Sequence, residues 1–390
     1  MTTGTLLRLG VLTTGRQDWG ILRSTCKLAR TTAGLDLTIL AGGMALSAAH
    51  GASAAAMASD GLPPDERIDW LALGHHSVHQ QSGAATSMIG DVLERLHIDA
   101  LMVAGDRFET MSAALAATVA RVPLVHLHGG EETEGAFDNA IRHAITKLAH
   151  LHLVSHAEYG RRVITMGEDP AAVHVVGAPG LDNLYRDDLP THTELEKRIG
   201  IPLAGPIVIV TLHPSTLGAD PATEVASVCA AMDACDATYV ITLPNNDPGA
   251  RVIRTALEEA AQKPGRVAVE SLGERFYWAL MKSADAMLGN SSSAIVEAPA
   301  VALPAVNVGS RQKGRLRAPN VIDVEPEGTE VTKALRCALD PSFRLSIGDA
   351  SRSAFGDGHA AERILSILAS WTPPRPPIKR WTPTGKPNAA

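Results

Sequence analysis

Short, continuous apolar runs recur along the whole chain, each closed by glycine, proline or a polar cluster, and this alternation limits the possible folds more than any other feature. In the first half they read LLRLGVLTT, LDLTILAGG, DALMVAGD, VPLVHLHGG, LHLVSH and VHVVGAPG. In the second half they read PIVIVTLHP, TYVITLPNN, VAVESLG, ADAMLGNSS, PAVNVGS and VIDVEP. Continuous rather than alternating runs of Val, Ile and Leu mark strands covered on both faces. Parallel strands need crossover segments, and SAALAATVAR, TEVASVCAAMDAC, VIRTALEEAAQ and SSAIVEAPA have helical length and composition. The pattern predicts an α/β protein with two Rossmann-like, doubly wound domains facing across a cleft.

At 390 residues the chain exceeds the size at which one core keeps growing, which also favours two domains. The expected division is 1–184 and 185–371, with a Pro-rich basic tail, 372–390, that is extended or disordered. The helix HAAERILSILASW before the tail is expected to pack back on one domain. Hydrophobic residues make up 45%, charged residues 20%, and the formal net charge is −7, which argues against a nucleic-acid partner held by bulk charge. Cys26, Cys229, Cys235 and Cys337 are scattered without a CxxC pair, so reduced thiols, a cytoplasmic location and no zinc module are expected. No apolar stretch approaches bilayer length, so no membrane partner is expected either.

In open parallel sheets, ligands bind outside the carboxyl ends of the strands. The polar clusters fall there: TTGRQDWG, GDRFET, HLHGGEE, LHPST, LPNND, GNSSS and GSRQKGR. The densest is Leu124–His150, LVHLHGGEETEGAFDNAIRHAITKLAH. There a glycine pair lets the backbone turn sharply, and Glu131, Glu132, Glu134 and Asp138 supply acid–base groups. Asp138 also suits a plain helix N-cap. Ser291, Ser292 and Ser293 at a strand-to-helix turn suit an anion such as a diphosphate, or simple N-capping. Arg16, Arg107 and Arg311 follow strand ends and suit forked hydrogen bonds to phosphate, and Glu297 suits ribose hydroxyls. His126 and His128 alternate along a strand and with Glu131 make an H-x-H-x-x-E pattern that a metal could use, although the same positions suit hydrogen bonds to a sugar. His75 to His79, HHSVH, reads as a surface loop. Neither GxGxxG after a first strand nor GxxxxGK[ST] is present, which counts against dinucleotide dehydrogenases and P-loop enzymes.

Taken in order and spacing from Gly10 to Arg317, the set TTGRQDWG, GDRFET, H-x-HGGE…EGAFDNAIRHAITKLAH, VTLHPST, PNND, GNSSSAIVEA and NVGSRQKGR resembles the UDP-N-acetylglucosamine 2-epimerase family, and within it the hydrolysing branch that serves sialic and related nonulosonic acid synthesis. The resemblance implies a GT-B type pair of domains and conversion of a UDP- or GDP-N-acetylhexosamine plus water to the free 2-epimer, of N-acetylmannosamine type, and nucleoside diphosphate. It implies elimination to a glycal followed by addition of water, with no metal or redox cofactor, and association as a homo-oligomer, dimer or tetramer. Asp106 and Asp138 match acidic positions to which the family assigns catalysis, and Arg16, His213, Asn245, Ser291, Ser292, Glu297 and Arg311 match nucleotide contacts. Asp18, Arg107 and Arg142, from the same segments, complete the candidate substrate contacts.

One departure stands out. Where the resemblance implies H-x-E-G-G-E with its first glutamate catalytic, this chain has His128, and the loop after it is one residue longer. The acid–base role then falls to His128, whose ordinary pKa near 6.5 suits it, or to Glu131 or Glu134. A 6-deoxy or 2,4-diacetamido sugar stays open as substrate. A non-hydrolysing 2-epimerase, a GT-B glycosyltransferase and a catalytically silent nucleotide-sugar binding protein are the alternatives.

Overall fold

The structure is a computed structural model that describes residues 6–47, 53–74, 77–132, 138–215, 220–244, 249–352 and 354–382. It divides into two compact units. Unit 1 contains strands β1 (Leu7–Thr13), β2 (Leu35–Gly42), β3 (Glu66–Ile68), β4 (Ala100–Ala104), β5 (Leu124–Leu127), β6 (Leu151–Val154) and β7 (Val173–Val175). They form one parallel sheet in the order β3-β2-β1-β4-β5-β6-β7. Because the chain winds outward from β1 to β3 and then returns to place β4 beside β1, the winding direction reverses between β1 and β4, the place in such sheets where ligands bind outside the carboxyl ends.

Both faces of this sheet are covered, which is why its central strands are mainly apolar. Leu9, Val11, Ile39 and Met102 pack under the helix Arg16–Ala29 through Leu22 and Cys26. Leu12, Leu40, Leu101 and Val103 meet Ile89, Leu93, Ala113 and Ala117 from the helices Val78–Arg95 and Phe108–Val119 on the other face. β3, not among the apolar runs of the sequence, is a three-residue edge strand paired with β2 through Leu40 and Glu66.

The expected assignment of residues up to 371 to the second domain is corrected by the packing of the last helix, Ala360–Ser370, which belongs to unit 1. Ile364, Leu365 and Leu368 enter the core beside Leu22 and Cys26. The Asp182 carboxylate accepts the Ala360 and Ala361 N–H groups at 2.9 and 2.7 Å, satisfying donors left over at that helix start. The tail to residue 382 lies against unit 1: Arg375 pairs with Asp99, Lys379 with Glu168, and the Thr382 N–H donates to the Gly167 carbonyl at 2.9 Å.

Unit 2 spans Asn183–Asp357. Its strands β8 (Ile207–Thr211), β9 (Thr238–Thr242), β10 (Arg266–Val269), β11 (Ala286–Gly289), β12 (Ala305–Val308) and β13 (Val321–Val324) form a second parallel sheet, in the order β10-β9-β8-β11-β12-β13. Here the reversal lies between β8 and β11, whose register pairs Ala286 with Val208 and Gly289 with Thr211. The polar connector that precedes this sheet holds the helix His192–Ile199. It is opened by a reciprocal Thr191–Glu194 capping box and closed by Gly200 in the left-handed conformation. All four cysteines are free thiols. Among the described residues, no helix is long and apolar enough to cross a membrane.

Candidate active site

The β1 and β4 carboxyl ends carry the first group of expected residues. After β1 the chain passes Thr14 and Gly15 into a helix whose first residue is Arg16. Asp18, in the first turn, is buried and accepts both the Thr14 N–H at 2.8 Å and the Thr14 hydroxyl at 2.7 Å, so it locks the loop it stands in. Burial pushes its pKa up, against the charge of Arg107 and the Thr14 hydrogen bonds. After β4, Asp106 is paired with Arg142, a nearly inaccessible guanidinium reaching over from the helix Asp138–Leu148. Arg107 is the N-cap of the following helix, and its guanidinium is committed to Glu109, at 3.1 and 2.5 Å. Asp138 is the first residue of its helix, where a carboxylate also meets the positive end of the helix dipole.

The turn after β5 departs from the strand alternation expected of it. His126 is fully buried, and its Nε2–H donates to the Gly105 carbonyl at 2.9 Å, while Nδ1 lies 3.4 Å from Thr146 Oγ1. Burial drives its pKa down to about 3, the Gly105 hydrogen bond opposing and the charges of His152, Arg142 and His128 adding. It is therefore a neutral brace under the Gly105–Asp106 backbone rather than a ligand. β5 ends at Leu127, and His128 sits at φ +63, so the two imidazoles do not share a face. Among the described residues, no group of three His, Cys, Asp or Glu side chains is placed to hold a metal ion.

His128 Nδ1 lies 2.6 Å from Glu131 Oε1, and the same oxygen accepts the Ser155 hydroxyl at 2.8 Å. Gly130, at φ +76, makes this turn possible: a Cβ there would stand 2.4 Å from the Tyr159 carbonyl oxygen. His128 Nε2 is buried and has no hydrogen-bond partner among the described residues.

In unit 2 the ends of β8, β11 and β12 converge on Asn290. Its side chain accepts the His213 N–H and donates to the His213 carbonyl, both at 2.8 Å. Its own carbonyl accepts from Arg311 Nη1 at 3.2 Å and Gln312 Nε2 at 2.8 Å. Ser291 is buried, Ser292 exposed, and the Ser293 N–H donates to Ser291 Oγ at 3.3 Å. The helix that follows is a single turn, Ser293–Val296, with Glu297 just beyond it, so hydroxyls and N–H groups rather than a long helix dipole define this turn. The Tyr277 hydroxyl is hydrogen-bonded among Ser293, Thr211 and Ser291, and its burial pushes its pKa up to about 12. A buried carboxylate also stands near Arg311. Glu224, fully buried and accepting from Ser215 Oγ at 2.9 Å, is such a group, held close enough that Arg311 opposes the rise in its pKa caused by burial.

Glu134 and Asn245 lie outside the described residues, as does the side chain of Arg16. Sequence reasoning missed Glu109, Ser155, Glu224, Tyr277 and Asn290. Ser155 stands at the carboxyl end of β6, and Asn290 lies within the GNSSS cluster, so the strand-end rule would have found both. Glu109 lies within the GDRFET cluster, whereas nothing local marks Glu224, which is identified only by its partners.

The sequence profile described as UDP-N-acetylglucosamine 2-epimerase matches residues 27–369. The chain is 33% identical to the UDP-N,N'-diacetylbacillosamine 2-epimerase (hydrolyzing) of Legionella pneumophila, over 93% of this chain and 96% of that one. It is 32% identical to the polysialic acid biosynthesis protein P7 of Escherichia coli, over 92% of each. The crystal structure of Neisseria meningitidis UDP-GlcNAc 2-epimerase bound to UDP-GlcNAc superposes with a TM-score of 0.78 at 16% identity, covering 93% of this chain and 99% of that one, which shows a shared fold. On the breadth of these matches, the chain belongs to the UDP-N-acetylglucosamine 2-epimerase family.

Proposed function

We propose that this chain is a hydrolysing nucleotide-sugar 2-epimerase, which takes a nucleoside-diphospho-N-acetylhexosamine and water to the free 2-epimer and nucleoside diphosphate. The reading rests above all on one observation: acid–base side chains gather at the carboxyl ends of β4 and β5 in a chain matched over nearly its whole length by a relative named as hydrolysing. The C2 proton of such a sugar is not beside a carbonyl. It becomes acidic as the C1–O bond breaks and oxocarbenium character develops, so carboxylates that stabilise the cation and groups that carry protons are what the reaction needs. Asp106, Asp138 and His128 are assigned to that chemistry. Ser291, Ser292, His213 and Arg311 are assigned to the diphosphate, and Glu297 to the ribose.

For the sugar we favour a 2,4-diacetamido-6-deoxyhexose over N-acetylglucosamine, because the Legionella relative is named for diacetylbacillosamine. The test is incubation with UDP- and GDP-linked forms of both sugars in deuterated water. Release of nucleoside diphosphate with deuterium at C2 of a free sugar is expected. A sugar product without C2 deuterium, or one still attached to its nucleotide, would defeat the reading.

A further inference from the structure

We propose that Ser155, Glu131 and His128 form a relay in which His128 Nε2 is the proton-accepting atom and Glu131 is the positioning residue behind it; this rests on the epimerase reading above. A carboxylate only accepts hydrogen bonds, so the 2.6 Å contact places the imidazole proton on Nδ1 and leaves the Nε2 lone pair free. Glu131 Oε1 takes both the imidazole and the Ser155 hydroxyl, which ties the carboxylate to the end of β6 as well as to its own turn. An oxygen with two donors already in place is an anchor rather than a proton carrier.

Two costs converge on His128. A buried polar atom without a partner is destabilising, and Nε2 has none among the described residues. A non-glycine residue in the left-handed region is strained, and His128 has φ +63. The neighbouring His126 carries neither cost, being hydrogen-bonded in the body of β5. Backbone strain and a ring nitrogen without a partner among the described residues, in one residue whose other nitrogen meets a carboxylate, describe a group kept ready for a ligand.

In the elimination, His128 Nε2 takes the C2 proton. The C–H electron pair becomes the C1–C2 double bond, and the C1–O pair departs with the nucleoside diphosphate. The imidazolium so formed is balanced by the Glu131 carboxylate. On the opposite face, the acid form of Asp138 gives C2 its new proton and is restored by the proton lost from the water whose oxygen bonds to C1. His128 returns its proton to solvent.

The experiment uses the full chain labelled with 15N-histidine, in wild type and in the variants H128A, E131Q and S155A. Wild type is expected to show a strongly deshielded Nδ1 proton that E131Q abolishes. With the nucleotide sugar that wild type turns over, E131Q is expected to lower kcat on the order of 10²-fold while KM stays within about threefold. S155A is expected to lower it about tenfold, with Ser155→Thr restoring the loss. Added imidazole is expected to restore part of the activity of H128A and none to the H128A/E131Q double variant. An undetectable Nδ1 proton in wild type, or an E131Q enzyme with unchanged kcat, overturns the relay. A wild type that shows the proton yet releases no nucleoside diphosphate supports the Ser155–Glu131–His128 arrangement and overturns the epimerase reading instead.

Discussion

Arg142 and Asp106 form an ion pair in unit 1, the arginine almost wholly buried on its helix and the aspartate at the mouth of β4. The guanidinium fixes one carboxylate oxygen and so aims the other. If Asp106 carries charge or a proton in the reaction, the isosteric Asp106→Asn removes that capacity and keeps the shape. Turnover is expected to fall by about 10²–10⁴-fold, with nucleoside diphosphate binding by calorimetry unchanged. An enzyme of normal turnover would take Asp106 out of the chemistry.

Acid sensitivity follows from two buried groups. His126 is held neutral, its pKa lowered by burial from 6.5 to about 3. The stability it contributes is complete above the unfolded value and is lost as pH falls from 6.5 towards 3. Glu168 is depressed from 4.5 to about 2: burial opposes the shift, but hydrogen bonds from His152, Lys147 and Lys379 outweigh it, so its contribution disappears between those values. Both act in the same direction, each proton at up to about 1.4 kcal/mol per pH unit. The thermal midpoint should therefore decline from pH 6.5 downward and more steeply below 4.5, and Glu168→Gln should flatten only the lower part. A constant midpoint between pH 7 and 5 would refute the assignment to His126.

Gly289 closes β11 at φ +132, and a Cβ there would stand 2.0 Å from the Thr211 carbonyl oxygen on the neighbouring strand. Backbone on both sides leaves nothing flexible to yield. Gly289→Ala should cost about 3 kcal/mol or more, read as a lowered denaturant midpoint, and should displace Asn290, the residue on which Arg311 and Gln312 converge. An unaltered midpoint would show that the strands can part here.

Glu224 places a buried carboxylate near Arg311. Glu224→Gln keeps the Ser215 contact and deletes the charge, so the field at Arg311 becomes more positive. UDP binding is expected to tighten by roughly 1 kcal/mol, about fivefold. Weaker binding would mean that Glu224 orients Arg311 more than it neutralises it.

The strands were legible because doubly covered parallel strands cannot alternate polar and apolar residues; every long run became a strand. β3 was not, since Glu66–Ile68 is an edge defined by its pairing with β2 and not by its own composition. The partner of the last helix was not legible either: an amphipathic stretch announces that it packs without naming the sheet it packs on. At the site, strand ends pointed to Asp106, His128 and Ser291. The strand period misled at His128, because the chain leaves β5 one residue earlier than alternation requires. Glu224 depends on partners brought together by the fold, which sequence spacing does not reveal.

The return of residues 358–382 to unit 1 has a consequence for the order of events at the ribosome. Leu22 and Cys26 emerge early, but the Ile364, Leu365 and Leu368 that cover them emerge last, as do the Arg375 and Lys379 that engage Asp99 and Glu168. Unit 2 is an insertion synthesised in the interval, so it can complete its own sheet while the older unit is still waiting for its final helix. A nascent chain stalled before residue 358 thus carries an exposed apolar face on the unit made first.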